Sequence, residues 1–235
     1  MATATGDILR LVRKGIDVRA VTAHTRKPFR FYLCGDPALV AEMRALLLSG
    51  HDESVPPDAP ACLETLVPGQ PTATLVREGR AVLFLGRRGD VRGADFSDLA
   101  ALKLPIFAIT LDEQAQSSGP ASPPAAGTFS EYVVPALSKE ALRGRLFPHL
   151  VERCKGVEIA VGRRLPVLRE TVAAKLTRDA ANNALKVALA SAAVDHIPVF
   201  GLVLGAFASA GDMVAITGIQ MMLLLHIEAA YGRDP

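Results

Sequence analysis

Between Ile197 and Ile227 the chain reads IPVFGLVLGAFASAGDMVAITGIQMMLLLHI, and Asp212 is the only formal charge in it. A run this apolar must be hidden from water, in a helical core, against a partner or in a bilayer. Pro198 breaks the chain before it. Gly201, Gly205, Ala206, Ser209 and Gly211 follow at close spacing and include a Gly-x-x-x-Gly, which lets helices approach closely. Asp212 suits the N-cap of a second helix, MVAITGIQMMLLLHIEAAYG, which Gly232 would end. Thr217, Gln220 and Glu228 draw a thin polar stripe on that otherwise apolar cylinder, and Met221 and Leu225 belong to its apolar contact surface. A membrane span needs about 20 apolar residues. Asp212 and Glu228 interrupt each half before that length, so a helical bundle is the reading, with an inserted hairpin over 197–227 as its alternative.

The preceding stretch also has helical spacing. A connector near Cys154–Gly162 leads to Pro166, a residue suited to a first helical turn. Leu165, Leu168, Val172, Leu176, Ala180, Ala184 and Val187 then recur on one apolar face. Arg169, Lys175, Arg178 and Lys186 fall mostly on the other face. Asn182 and Asn183 sit mid-helix, where Asn is a poor former, and either bond across an interface or face solvent. Arg163, Arg164 and Arg169 form a basic group that suits the anionic head groups of a membrane surface.

The first half alternates strand-like and helix-like segments, which argues for a parallel, doubly wound sheet. Phe29–Cys34 is a compact apolar run, ended by Gly35-Asp36-Pro37. Asp36 is placed to cap, and Pro37 to open, a helix with Leu39, Met43, Leu46 and Leu47 on one face and Gly50 at its end. The sequence then predicts a Pro-rich loop from His51 to Pro60, a short strand over Ala73–Val76 and a buried strand over Arg80–Leu85. A short helix over Ser97–Lys103, a strand over Leu104–Thr110, a loop over Gln114–Gly127 and a strand over Glu131–Val134 follow. SKEALRGRLFPHLVERC reads as one helix. The expected organisation is a helical extension over 1–27, an α/β domain over 28–153 and a hydrophobic helical domain over 154–235.

Ligands on doubly wound sheets sit beyond the carboxyl ends of the strands. That rule selects Cys34–Asp36, Gly86–Arg88, Thr110–Asp112 and Pro135–Ser138. The order resembles the Era-like branch of the P-loop GTPases over roughly residues 28–150. The resemblance implies a phosphate loop at Gly35 and Asp36, a guanine-reading position at Asp112 and a last base contact near Ser138. The residues depart from the working pattern. A phosphate loop needs GxxxxGK[ST], because backbone amides, a lysine and a hydroxyl hold the phosphates and magnesium. Here the loop is CGDPALVAEM, no Gly-Lys occurs, and Ile-Thr-Leu-Asp replaces Asn-Lys-x-Asp, so only Asp112 matches. The expectation is a pseudo-GTPase scaffold without nucleotide hydrolysis. A switch or enzyme binding nucleotide through Arg87, Arg88 and Asp112 is its rival. The pattern from Ala160 to Gly232 is similar to an uncharacterised helical domain that accompanies Era-like GTPases and occurs in bacterial inner-membrane-associated proteins. The elements that carry this likeness are Leu-Pro-x-x-Arg, Asp-Met-x-x-x-Thr-x-x-Gln and the terminal Tyr-Gly, and they imply a membrane or assembly partner.

Composition narrows the remaining classes. A net charge of +2, no Trp and 5% aromatics argue against a nucleic-acid binder. Cys34, Cys62 and Cys154 are too far apart for a zinc or disulfide framework. Cys34 is either a thiol activated at a helix N-terminus or a buried strand cysteine. His51, Asp52 and Glu53 lack a second spaced ligand pair, so no metal and no cofactor are expected. The segment GRRGDVRG offers an anion site or a solvated loop. MATATGDILRLVRKG lacks the apolar stretch of a secretory signal. The expected place is therefore the cytoplasm, with the periphery of the inner membrane as the alternative. The expected partner is another protein or a second copy of the chain.

Overall fold

The computed structural model describes residues 18–50, 56–66, 78–93, 96–113, 129–195 and 204–234, and of 92–93, 190–195 and 204–213 only the backbone. The strand expected over Ala73–Val76, the loop over Gln114–Gly127, the His51–Glu53 cluster, the break at Pro198 and Gly201 lie outside these residues.

Five strands form one parallel sheet: β1 (Arg30–Gly35), β2 (Leu63–Thr65), β3 (Gly79–Arg87), β4 (Ile106–Leu111) and β5 (Phe129–Val134), in the order β2-β1-β3-β4-β5. Parallel strands at the centre of a sheet are covered on both faces, which is why β1 and β4 read as unbroken apolar runs. β5 stands at an edge and alternates, with Tyr132 and Val134 buried and Phe129 and Val133 exposed. β2 follows the helical turn Ala59–Cys62, a strand that the Pro-rich reading of this region does not contain.

Helices lie on both faces. α1 (Val18–Thr25) and α2 (Pro37–Leu48) precede and follow β1. The short α3 (Asp90–Gly93) and α4 (Ser97–Ala100) follow β3, and a turn closes after α4 at Lys103, whose φ is 53°. On one face Phe31, Leu33, Leu83, Leu85, Phe107, Ile109 and Tyr132 meet the helices of the second half. On the other, Tyr32, Cys34, Val82 and Ile106 meet Leu102 and Leu104.

The second half corrects the sequence reading in three places. The single helix expected from Ser138 to Cys154 is two, α5 (Lys139–Arg143) and α6 (Leu146–Glu152), because Gly144 and Arg145 interrupt it. The connector expected near Cys154–Gly162 contains α7 (Glu158–Arg164), whose Ile159, Ala160 and Val161 are buried. A turn at Pro166–Leu168 then leads into α8 (Arg169–Asp195), and α9 (Leu204–Ala230) follows. The third correction is at Asp212, where no second helix begins, because α9 runs through Gly211 and Asp212 without a break. Neither residue breaks a helix as Pro does, and together they cost about 1–2 kcal/mol relative to Ala. Packing along α8 offsets that cost.

Val172 near the start of α8 and Ala230 at the end of α9 both abut Gly162, so the two long helices run antiparallel. A Cβ at Gly162 would sit 3.0 Å from that of Ala230, so this glycine lets α7 meet the end of α9. Among the described residues, no helix is long and apolar enough to cross a membrane.

Candidate functional site

At the carboxyl edge of the sheet, the turn after β1 is closed against β3. Gly35 has φ 110°, and a Cβ there would lie 1.9 Å from the Leu85 carbonyl oxygen. The Asp36 amide donates to that same carbonyl at 2.8 Å. The Asp36 carboxylate accepts from the amides of Ala38 (2.8 Å) and Leu39 (3.3 Å). The first free amides of α2, where a phosphate would sit, therefore hold the chain's own carboxylate.

The turn after β3 is filled in the same way. Gly86 and Arg87 belong to the strand itself, and the Arg87 amide donates to the Asp90 carboxylate at 3.0 Å. Arg88 pairs with Asp112 at 2.9 Å, so the one acid that matches the expected guanine-reading pattern faces a guanidinium of its own chain. Thr110 donates to Glu131 at 2.9 Å beside them. The cavity lined by Arg88, Thr110, Asp112 and Glu131 holds about 90 Å³, below the range of about 300–1,000 Å³ of small-molecule sites. The Ser138 hydroxyl caps α5, accepting from Ala141 at 3.2 Å. Cys34 is buried, and desolvation pushes its thiol up to about 12. It is the strand cysteine of the two readings, and an activated thiol is excluded.

The larger cavity, of about 720 Å³, lies at the opposite end of the sheet. Asp58 and Phe29 border it through Arg164, and they stand just before β2 and β1. Arg163, Arg164 and Arg169, expected as a basic group for anionic head groups, line its wall. Arg164 donates to the Asp58 carboxylate at 2.6 Å and to the Lys27 carbonyl at 2.9 Å, and its guanidinium lies over the Phe29 ring. Arg163 reaches the Asp234 carboxylate at 2.9 Å and the Arg233 carbonyl at 3.5 Å.

Arg169 is 7% exposed, which corrects its assignment to the polar face of α8. A buried guanidinium needs partners. Arg169 finds them in the carbonyls of Gly162 (3.1 Å) and Arg163 (3.4 Å), at the negative end of α7, with the Tyr231 ring beside it. Lys175 is likewise buried, paired with Glu158 and Asp179. Arg26 at the end of α1 and Arg233, which also meets Glu228, complete the basic wall. Arg163 and Arg164 stand out in the sequence as a pair. Arg26, Asp58 and Arg233 carry no such signal, because only the fold brings them together.

The helical pair places the other residues singled out from the sequence. Leu225 is partly buried and packs with Met222 against the core. Thr217 is half-buried, Gln220 and Met221 are exposed, and the side chain of Asp212 lies outside the described set. Leu224, one residue from Leu225, is the exposed position at 63%. Leu185 and Leu189 of α8 are also exposed, and Asn182 and Asn183 face solvent rather than an internal interface. Among the described residues no group of acidic, His or Cys side chains is arranged to hold a metal ion. No protein family, curated protein or solved structure matches the chain.

Proposed function

We propose that this chain is a non-catalytic docking module, a nucleotide-type α/β platform that assembles with further copies of itself through the apolar pair α8 and α9. One observation carries the reading. From Val214 to Glu228 the helix α9 is apolar outside Thr217, Gln220, His226 and Glu228, yet none of its side chains is fully buried. A helix that is apolar on all sides belongs in a core. Burial of its outer side yields about 25 cal/mol per Å². The filled turns support the non-catalytic part, since Asp36 and Asp90 occupy amides that a nucleotide phosphate would need. Protein association fits better than insertion, because no described helix has the length and apolarity of a span.

Size-exclusion chromatography with light scattering tests the proposal on the wild type and on Leu185→Glu/Leu189→Glu/Leu224→Glu. The wild type is expected to run heavier than one chain and the triple variant at the mass of one. A wild type that runs as a monomer sinks this reading. Saturable GTP binding lost in Arg88→Ala would favour a nucleotide switch instead.

A further inference from the structure

The arginine-lined cavity has no part in docking through α8 and α9. We propose that it is a binding site for a phosphate-bearing small molecule, seated at the amino end of β1 and β2. At about 720 Å³ it has the volume for a ligand of nucleotide or sugar-phosphate size. Its described lining carries five arginines, at 26, 163, 164, 169 and 233, against two aspartates, at 58 and 234, an excess of three positive charges (five minus two). Guanidinium forks match phosphate oxygens in pairs, which a lone ammonium does not.

The site is also pre-ordered. Arg164 is fixed by Asp58, the Lys27 carbonyl and the Phe29 ring, and Arg169 by two carbonyls and Tyr231. A ligand therefore immobilises few further rotamers. The chain places its own anion at the mouth. The Asp234 side chain is 86% exposed and holds Arg163 through a single 2.9 Å contact. An exposed pair of this kind contributes little, and a phosphate dianion displaces it from Arg163.

The phosphate can come from a soluble metabolite or from a lipid head group, and two arms separate these sources. Inorganic pyrophosphate and ATP are titrated calorimetrically into the full chain, and phosphatidylglycerol vesicles are tested by flotation in the same buffer. The expected result is saturable pyrophosphate binding, weakened about tenfold or more in Arg163→Gln, weakened in the exposed Arg26→Gln and strengthened in Asp234→Asn. Flotation without pyrophosphate binding, lost in Arg163→Gln, assigns the same cavity to a lipid phosphate. The proposal is overturned if the wild type binds none of the three probes. It is equally overturned if Arg26→Gln and Arg163→Gln, with melting temperatures unchanged, bind as the wild type does.

Discussion

Tyr32 is fully buried in the middle of β1, and its hydroxyl has no hydrogen-bond partner among the described residues. A buried polar atom left unpaired costs about 1–3 kcal/mol. Tyr32→Phe removes the atom and keeps the ring, so it should raise stability by about 1 kcal/mol. The urea midpoint would move up with the slope unchanged, and a lower midpoint would show that the hydroxyl is satisfied. The thiols follow from burial too. Desolvation pushes Cys34 and Cys154 up to about 12 and Cys62 up to about 11, so none is a thiolate at pH 8. A thiol reagent should label no cysteine within minutes in the folded chain and all three in denaturant. Prompt labelling of the folded protein would contradict that burial. What could be read in advance at this scale was local. Asp36 capping α2 follows from Asp-Pro before an apolar helix pattern, with both partners inside one turn. The contact that requires glycine at Gly35 depends on Leu85, fifty residues away, and leaves no trace near Gly35 itself.

At the scale of elements, periodicity and composition located β1, β3, β4, β5, α2 and the apolar face of α8. They missed α7, which has no side-chain cap and is stabilised by burial of Ile159, Ala160 and Val161 in the core where α7 meets α8, α9 and α1. They also divided α9, because Gly211-Asp212 reads locally as a stop and only the α8 partner carries the helix through it. The docking of α1 on α9 was equally hidden, and it brings the rings of His24 and His226 to 6.4 Å. Burial holds the His226 pKa below its usual value, the neighbouring His24 lowers it further, and Glu158 opposes both. The unfolded chain therefore takes up this proton first. The stability His226 contributes is intact above about pH 6.5 and is lost as pH falls through that value toward the lower folded pKa. The melting temperature of the wild type should drop between pH 7.5 and 5.0, and the drop should be smaller in His226→Gln. Parallel curves for the two proteins would rule out His226 as the source.

Across the whole molecule, the composition changes near Cys154, where alternating strands and helices give way to helices alone. The packing crosses that line without a seam. Val21, Phe31, Leu83, Ile109 and Val134 belong to one buried cluster with Leu150, Val161, Leu168, Val172 and Ala230. The arginine cavity spans the same line, since Arg164 of α7 is tied to Lys27 and Asp58 beside the sheet. Neither junction is legible in one dimension, because each depends on contacts between residues far apart in the chain, such as Arg164 with Lys27 and Asp58, 137 and 106 positions away. Elements that share a core lose stability together, since exposing one strips apolar area from the others. Sheet and helices should therefore unfold in a single transition. Far-ultraviolet circular dichroism reports mostly the helices, and near-ultraviolet dichroism in a Tyr231→Phe background reports the two remaining tyrosines, Tyr32 and Tyr132 in the sheet. The two curves should coincide against urea. Leu168→Ala, at the join, should shift both by the same amount, corresponding to about 2–5 kcal/mol. If the substitution instead moves the helical signal and leaves the sheet tyrosines where they were, the two halves are independent folding units and the shared core does not couple them.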